Sequence, residues 1–384
     1  MHVAAPADEE SQRTIEQEGF VFHAIQLSRS GMNPWREWSS IRSLAKLYGT
    51  LKPDIVHHVT IKPVLYGSLV ARWLNVPCVV NGISGLGYIF IAPGIKAALI
   101  RAAVKCVYRA ALGHPNATVI FQNPDDLGAF VRDHLVRRER TALVRGSGVD
   151  LTRFKPSPQP GGAILVVLPA RMLWDKGVAE FVAAAGRLVA DGVKARYALV
   201  GDSDPGNPAA VPPEQLNQWR REGIVEWWGH RDDMPEVFAQ AHIVCLPSYR
   251  EGLPKALIEA AACARPIITT DVPGCREIVH HNDNGLLVPA RNAAALAAAL
   301  KQLIEDGALR RRMGGRGRQR AEEEYSDQRV AREHLAVYRA LLVSRRTQRG
   351  NIGCKLPGSA ARLSSSLDPE ALDGPKSEAL RPGK

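Results

Sequence analysis

The sequence predicts an α/β protein built from two doubly wound parallel sheets. Short apolar runs alternate with amphipathic stretches, the alternation restarts after residue 162, and a Pro- and Gly-rich segment at 157–162 separates the two series. A chain of 384 residues is long enough for two domains of ordinary size. Two such sheets joined by a short linker leave a cleft between the carboxyl ends of their strands, where ligands of this architecture bind.

The first series predicts strands that are apolar runs ending in Gly, Pro or polar residues. These strands lie at 2–6, 54–59, 77–83 and 117–123. Helices between them are predicted at 35–51, 64–75 and 94–112. The first strand begins directly at the N-terminus, so the strand, Gly-rich turn and helix that normally open a Rossmann-type half are expected to be missing.

The second series repeats the alternation. Its strands are predicted at 163–170, 195–202, 224–229, 242–248, 265–271 and 285–289, and its helices near 177–190 and 254–263. A helix near 327–343 closes the folded part, and the polar residues after it are expected to be disordered. The predicted division is an N-terminal domain at 1–156, a C-terminal domain at 157–326, a closing helix at 327–344 and a tail at 345–384.

Charge and composition limit the function classes. The formal net charge of +11 favours a partner rich in phosphate, such as a nucleotide, a nucleic acid or an anionic membrane. No platform of basic and aromatic residues appears, which argues against nucleic acid. The sequence has no signal-peptide pattern, no apolar run of about 18 residues and no paired cysteine motif, so we expect a cytoplasmic protein that is peripheral to a membrane.

Two carboxylates interrupt the small, apolar stretch 250–269. Pro254 suits the first turn of a helix, so Glu259 lies on that helix and faces the cleft, while Glu251 lies in the loop before it. A carboxylate there can accept hydrogen bonds from vicinal hydroxyls, as on a ribose, and Glu251 would reach further along the same ligand. The alternative is an ordinary surface ion pair between Lys255 and Glu259, four residues apart on one helix.

Two cations follow the first strand of the second series. Arg171 stands at the end of that strand, and Lys176 stands at the start of the next helix. Beside a helix N-terminus, such a pair can bind a diphosphate and stabilise it as a leaving group without a metal ion. The alternative is that both are surface cations with no ligand.

Taken together, these motifs resemble those of family 4 retaining glycosyltransferases. The stretch "PSYREGLPKALIEAAACARPIITTDVPGCREIV" contains the E-x7-E spacing, and it follows "PARMLWDKGV" and "LVGD" and precedes "NGLLVP" in the order of that family. In the first half, "DIVHHVTIKPVLYGSLVAR", "GISGLGYIF", "IFQNPDD" and "GSGVDLTRFKP" resemble the branch that acts on sugars carried by undecaprenyl diphosphate. The resemblance covers about residues 1–340.

The resemblance implies the GT-B fold, in which two Rossmann-like domains face a cleft. The N-terminal domain of this chain would lack its first β-α unit. The implied reaction moves a hexose or N-acetylhexosamine from a UDP-sugar to a lipid-linked saccharide, with retention of configuration, in the assembly of a surface polysaccharide. It implies no cofactor and no metal, and a location at the inner face of the cell membrane.

The same resemblance assigns site residues. Arg171 and Lys176 would bind the diphosphate, Glu259 the ribose and Glu251 the hydroxyls of the donor sugar, with Arg171, Lys176 and Glu251 acting in catalysis. Four further binding positions are carried over near the base, the sugar and the phosphate: Gly201, Gly229, Gly252 and Leu253.

Some features depart from the family or allow another interpretation. Many members have a histidine after a strand of the first domain, but "VVNGISGLGY" has none. His57 and His58, one strand earlier, are predicted to be core or edge histidines, with a role in the site as the alternative. The Asp202-x-Asp204 pair resembles the metal-binding motif of other glycosyltransferases and is interpreted as a solvated loop. Two other functions stay open: a UDP-sugar epimerase of the same architecture, and an inactive, truncated relic.

The helix at 94–112 is a candidate for docking on an anionic membrane. Arg101, Lys105 and Arg109 recur at every fourth position and fall on one side of it. A core helix with a solvated face is the alternative.

Overall fold

The computed structural model describes residues 1–27, 34–85 and 94–352 and confirms an α/β fold with parallel sheets. The strands of the first half are β1 (His2–Ala5), β2 (Val21–Ala24), β3 (Ile55–Val59), β4 (Cys78–Ile83), β5 (Ala117–Phe121) and β6 (Thr141–Leu143). Its helices are α1 (Glu9–Gln17), α2 (Pro34–Leu51), α3 (Ser68–Trp73), α4 (Ile95–Ala111) and α5 (Pro124–Arg132).

The second half repeats the alternation of strands and helices and forms a larger sheet. Its strands are β7 (Ile164–Pro169), β8 (Ala195–Val200), β9 (Glu226–Trp227), β10 (Ile243–Leu246), β11 (Ile267–Thr270) and β12 (Gly285–Val288). Its helices are α6 (Val178–Ala190), α7 (Pro213–Arg221), α8 (Met234–Gln240), α9 (Lys255–Ala262), α10 (Cys275–Ile278), α11 (Ala293–Glu305) and α12 (Gly307–Glu324), and α13 (Asp327–Ile352) follows them.

The second half forms one doubly wound sheet. Its spatial order is β12-β11-β10-β7-β8-β9, which is the Rossmann order read from the other edge. Along β7, Val166 and Leu168 pack in the core on one face, and Leu165 and Val167 pack in the core on the other. Burial on both faces explains why this strand is a continuous apolar run. The direction of winding changes between β7 and β10, so the loops after these two strands border the natural ligand crevice.

The first half contains two sheets. Strands β3-β4-β5-β6 form one parallel sheet, and β1 pairs in parallel with β2 in a separate two-stranded sheet. Strands β1 and β2 are joined by α1, so the chain opens with a β-α-β unit of its own. The loss of an opening β-α unit stays a prediction.

Several predicted bounds differ from the observed ones. The segment predicted as one helix at 64–75 begins with a π-helical turn, Pro63–Gly67, before α3. The closing helix α13 continues to Ile352, so the predicted end at 344 was too early and the tail predicted to start at 345 begins within a helix. Residues 353–384 lie outside the described part, as do residues 86–90 of the quoted "GISGLGYIF".

Helix α13 returns to the first half and covers its sheet. Val330 and Leu341 of α13 are buried in one cluster with Cys78, Val80 and Ile120, which belong to β4 and β5. The first half therefore completes its core with the last helix of the described chain. No helix among the described residues is long and apolar enough to cross a bilayer.

The chain passes between the halves twice, and the two crossings lie side by side. The amide of Val149 donates to the carbonyl of Tyr325 at 2.9 Å, and the amide of Asp327 donates to the carbonyl of Val149 at 3.1 Å. Gly148 has a φ of +77°, and a Cβ there would lie 2.5 Å from the Cα of Asp327. The crossings are therefore hydrogen-bonded to each other and packed without space for a side chain.

The Pro- and Gly-rich segment at 157–162 is held to the second half by hydrogen bonds. The buried guanidinium of Arg265 donates to the carbonyl of Phe238 at 2.7 Å and to the hydroxyl of Ser157. His242 Nε2 lies 2.9 Å from the carbonyl oxygen of Pro160. The division at residue 156 stays a prediction, although Phe154 already packs in a core cluster of the second half.

Candidate active site

The loops after β7, β8 and β9 are held together by close backbone contacts. Gly201 has a φ of +143°, and a Cβ there would lie 2.0 Å from the carbonyl oxygen of Ala170. Its amide donates to the carbonyl of Gly229 at 2.7 Å, and its carbonyl accepts from Trp227 Nε1 at 2.9 Å. These contacts make the three strand ends into one wall at the carboxyl edge of the sheet.

Helix α9 supplies the carboxylate of the opposite wall. Leu257 and Ala260 anchor the helix in the core, and Glu259 is only 8% exposed. Lys255 Nζ lies 3.6 Å from Glu259 Oε1, so the predicted ion pair is present, but Lys255 is mostly exposed. Burial raises the pKa of Glu259, and the nearby Lys255 offsets part of that rise.

A cavity of about 530 Å³ lies between these walls. Arg171, Gly201 and Glu259 line it together, as do His230 and Arg231 from the loop predicted to border the base. This volume is within the range of small-molecule sites, roughly 300–1,000 Å³. The structure therefore places Arg171, Gly201 and Glu259 around one space.

Lys176 and Glu251 are not among the residues that line this cavity, and they bind each other. Lys176 Nζ is 2.5 Å from Glu251 Oε1, and Ser248 Oγ donates to the same oxygen at 2.7 Å. Gly177 has a φ of +74°, and a Cβ there would lie 2.1 Å from the carbonyl oxygen of Pro247, so the loops after β7 and β10 touch. The pair thus sits at the point where the sheet changes its direction of winding.

Arg171 is paired with a carboxylate that the sequence reading left in solvent. Its Nη1 lies 2.7 Å from Asp204 Oδ2. Asp202 Oδ1 accepts from the amide of His230 at 3.0 Å. Asp202 is exposed and the Arg171–Asp204 pair is largely in solvent, which agrees with the interpretation of a solvated loop, although both carboxylates also have protein partners. An exposed pair such as Arg171–Asp204 contributes only about 0–1 kcal/mol, so a phosphate can replace its carboxylate at small cost.

Gly252 and Leu253 have different surroundings. A Cβ on Gly252 would lie 1.9 Å from the carbonyl oxygen of Ser84, which belongs to the first half. The side chain of Leu253 is buried in a core cluster, and a Cβ on Gly146 would lie 2.9 Å from its Cδ2. Only the backbone atoms of Gly252 and Leu253 are therefore available to contact a ligand.

The sequence reading missed residues of the first half that reach this loop. Asn123 Nδ2 donates to the carbonyl of Gly252 at 2.7 Å, and Arg250 donates to the buried carboxylate of Asp126. The segment "IFQNPDD" was used for its resemblance alone. A run of Asn, Pro and Asp that directly follows a buried strand and opens a helix is the signal that could have singled them out.

His58 is buried and His57 is partly buried on β3, the edge strand of its sheet, which confirms the prediction of core or edge histidines. His58 Nε2 lies 2.7 Å from the hydroxyl of Tyr48, and its Nδ1 lies 2.9 Å from Asn81 Oδ1. His57 Nδ1 lies 2.7 Å from the hydroxyl of Tyr338 on α13. Burial lowers the pKa of each histidine to about 4, so both are neutral near pH 7.

Two of the three cations of helix α4 that are predicted to dock on a membrane also contact protein groups, and the docking stays a prediction. Lys105 Nζ lies 2.8 Å from a carboxylate oxygen of Asp133, and Arg109 Nη2 donates to the carbonyl of Asp133 at 2.9 Å. These two cations therefore hold the end of α5. The same helix exposes Leu99 and Ile100, at 67% and 46%.

Comparison with known families divides the chain at the same place as the two series of strands. Residues 1–122 match the family described as glycosyl transferase 4-like, and residues 163–306 match the family described as glycosyl transferases group 1. The first match covers β1 to β5 and α1 to α4, and the second covers the cavity with Arg171, Gly201 and Glu259.

Individual proteins are similar over most of the chain. N,N'-diacetylbacillosaminyl-diphospho-undecaprenol alpha-1,3-N-acetylgalactosaminyltransferase of Campylobacter jejuni is 29% identical, over 88% of this chain and 90% of that protein. UDP-Gal:alpha-D-GlcNAc-diphosphoundecaprenol alpha-1,3-galactosyltransferase of Escherichia coli is 24% identical, over 71% and 72%. The crystal structure of Anabaena HepE in complex with UDP superposes with a TM-score of 0.71 at 19% identity, over 88% of this chain and 92% of HepE. The chain therefore belongs to the glycosyltransferases, with a glycosyl transferase 4-like first half and a group 1 second half on the GT-B fold.

Proposed function

We propose that this glycosyltransferase moves a hexose or N-acetylhexosamine from a UDP-sugar to a lipid-linked saccharide in glycan assembly. The observation that carries the proposal is the cavity lined by Arg171 and Glu259, together with the Lys176–Glu251 pair. The names of the Campylobacter jejuni and Escherichia coli relatives, which act on sugars of undecaprenyl diphosphate, support the acceptor class. The complex of HepE with UDP supports the nucleotide.

Each donor group has a partner of matching chemistry in this arrangement. Glu259 accepts hydrogen bonds from the ribose hydroxyls. Its buried carboxylate has little contact with water, so these bonds supply the partners that it needs. Arg171 and Lys176 bind the diphosphate, and the backbone of Gly201 and Gly229 borders the base. No metal ion is needed, because these two cations neutralise the diphosphate.

The reaction breaks the bond between the anomeric carbon and the β-phosphate oxygen of UDP. The acceptor hydroxyl attacks the same face, forms the new glycosidic bond and passes its proton to the departing phosphate, so the configuration is retained. Arg171 and Lys176 stabilise the negative charge that develops on the phosphate. Glu251 keeps the sugar in place by accepting hydrogen bonds from its hydroxyls, while Lys176 is shared between Glu251 and the diphosphate.

We further propose that the first half rests on the inner face of an anionic membrane through residues 94–112. Leu99 and Ile100 are exposed on α4, and Trp38 and Trp73 are exposed on the nearby helices α2 and α3. Apolar and aromatic side chains of this kind enter the interface of a bilayer. Binding to vesicles that contain anionic lipid measures this contact.

Calorimetry with UDP, followed by transfer assays, tests the donor site. Lys176→Ala and Glu259→Ala should each lower kcat/KM for the donor by about 2–4 kcal/mol, which is roughly thirty- to a thousandfold. Each variant removes a group that contacts the donor and leaves the core unchanged. Lys194→Ala is the control, because Lys194 is exposed after α6 and lies on no wall of the cavity.

Three outcomes would contradict the proposal. Wild-type turnover in both variants would refute the assignment of these residues. Conversion of a UDP-sugar to its epimer in the absence of acceptor would favour an epimerase. A chain that does not bind UDP would favour an inactive relic.

A further inference from the structure

The loop that carries Glu251 is held by a side chain from the other half of the molecule. Asn123, fully buried, caps α5 by accepting from the amide of Asp126 at 2.8 Å. Its amide nitrogen donates to Asp126 Oδ2 at 3.0 Å and to the carbonyl of Gly252 at 2.7 Å. A single residue of the first half therefore caps its own helix and binds the backbone next to Glu251.

An ion pair reaches the same loop from the residue on its other side. Asp126 is 1% exposed, and its Oδ1 accepts from Nη2 of Arg250, whose side chain is 22% exposed. Burial raises the pKa of Asp126, and Arg250 counteracts that rise. A buried carboxylate of this kind is tolerated when its cation stays in place. Residues 250 and 252 are thus both fixed by α5, with Glu251 between them.

The backbone of the loop is also enclosed by close contacts. A Cβ on Gly252 would lie 1.9 Å from the carbonyl oxygen of Ser84 in the first half. On the other side, a Cβ on Gly274 would lie 2.4 Å from the carbonyl oxygen of Gly252. The contact with Ser84 exists only while the two halves are in contact, whereas the contact with Gly274 lies within the second half.

We propose that Asn123 and Asp126 are positioning residues that hold the Arg250–Gly252 loop, and with it Glu251, in the conformation that receives the donor sugar. This inference rests on the proposed function, in which Glu251 binds that sugar. The support is present when the halves are closed and is lost when they separate. Closure of the cleft therefore sets the sugar site, while the described residues that line the proposed UDP cavity all belong to the second half.

The proposal predicts that affinity for UDP and turnover respond differently. Arg171, Gly201 and Glu259 line the cavity without help from α5, so UDP binds equally well with or without the two contacts. Turnover depends on the position of Glu251, and a displacement of about 1 Å in a catalytic group can lower a rate by roughly a hundredfold. A merely structural role would change both quantities or neither.

The experiment compares two variants with a matched control in the full chain. Asn123→Ser keeps an oxygen that caps α5 but is too short to reach Gly252. Asp126→Asn removes the charge that pairs with Arg250. Asp125→Asn is the control, because it removes the neighbouring carboxylate of the same first turn.

Three readouts are measured for each protein. Hydrogen exchange follows the backbone amides of 249–253, and calorimetry gives the affinity for UDP. Turnover is measured with UDP-glucose, UDP-galactose and their N-acetyl forms, with undecaprenyl-diphosphate N-acetylglucosamine in vesicles as acceptor. We expect about tenfold faster exchange in the loop and about ten- to a hundredfold lower kcat in both variants. We expect unchanged affinity for UDP, and wild-type values in the control.

Unchanged exchange in the loop, or an equal increase in Asp125→Asn, would overturn the proposal. Faster exchange with wild-type turnover would also overturn it, because the loop would then not need this support. If the wild-type protein binds no UDP and moves none of the four sugars, the proposed function fails, and the role of the loop in turnover fails with it. If the wild-type protein is active and the variants match it, only the inference about Asn123 and Asp126 fails.

Discussion

The two halves of the molecule bury their apolar side chains to different extents. The second half has one continuous six-stranded sheet with a core on each face. Within residues 157–326, all of which the structure describes, only Trp174 and Val189 are exposed among the large apolar side chains. The first half has two separate sheets, and it exposes many such side chains, of which Trp35, Met1, Trp73 and Leu99 are the most exposed.

This difference indicates that the first half depends on the rest of the molecule more than the second half does. The second half encloses its own core and the donor cavity, so its stability depends little on the first half. The first half needs α13 to cover one face of its sheet. It also exposes apolar side chains that are available for contacts outside the molecule. Changes to the two halves should therefore have separable effects on stability, membrane binding and donor binding.

The largest separable effect is expected at α13. Leu341→Ala should destabilise the first half by about 2–5 kcal/mol, because it leaves a cavity between α13 and the sheet. The second half should still bind UDP. Denaturant unfolding followed by hydrogen exchange measures which half opens first.

The same helix supplies the control for this change. Leu335 is 46% exposed, so Leu335→Ala should alter stability by less than about 0.5 kcal/mol. If Leu341→Ala abolished UDP binding under conditions where the second half stays folded, the two halves would not be independent.

A smaller effect is expected on the membrane. The double variant Leu99→Ser with Ile100→Ser should weaken binding to vesicles with anionic lipid by roughly ten- to a hundredfold, because two apolar side chains no longer enter the interface. Val189→Ser is the matched control, since Val189 is exposed to a similar degree on the second half. Equal binding by the double variant and the wild-type protein would place the membrane contact elsewhere.

The smallest effect is expected inside the donor cavity. Burial raises the pKa of Glu259 above its ordinary value of 4.5, so the ionised carboxylate costs free energy in the folded state at neutral pH. Glu259→Gln should therefore raise the free energy of unfolding at pH 7 by about 0.5–2 kcal/mol while it lowers affinity for UDP.

The stability gain of Glu259→Gln should increase with pH. Below pH 4.5 the carboxyl group is protonated in both the folded and the unfolded state, so the variant and the wild-type protein should be equally stable. The difference should grow as pH rises through the raised pKa. A gain that is as large at pH 3 as at pH 7 would show that ionisation of Glu259 is not its cause.

Sequence reasoning found the elements whose residues are buried on both faces. The runs at 77–83, 117–123 and 163–170 correspond to β4, β5 and β7. It missed β2 and β6, because strands of four and three residues with half-exposed side chains give little periodic signal. Tertiary contacts, which no local pattern contains, decide whether such short segments pair.

The candidate site shows the same limit. Arg171, Gly201 and Glu259 were placed together correctly, because the ends of parallel strands and the following helices meet at one edge of a sheet. The protein partners of Arg171, Lys176 and Glu251 were not predicted. Lys176 and Glu251 are 75 residues apart in the chain, and the contact of Arg250 with α5 spans 124 residues. Such pairings depend on how loops of different strands pack.

The paired crossings at Val149 and Ser326 have a mechanical consequence. Since both connections run through one place and are hydrogen-bonded to each other, the halves can rotate about that place but cannot slide past each other without breaking these bonds. The motion between the halves is then a rotation about this place. A small rotation there displaces the far rim of the cleft by a larger distance. Gly148 lets the two connections touch, so a side chain at this position would act as a wedge at the centre of this rotation.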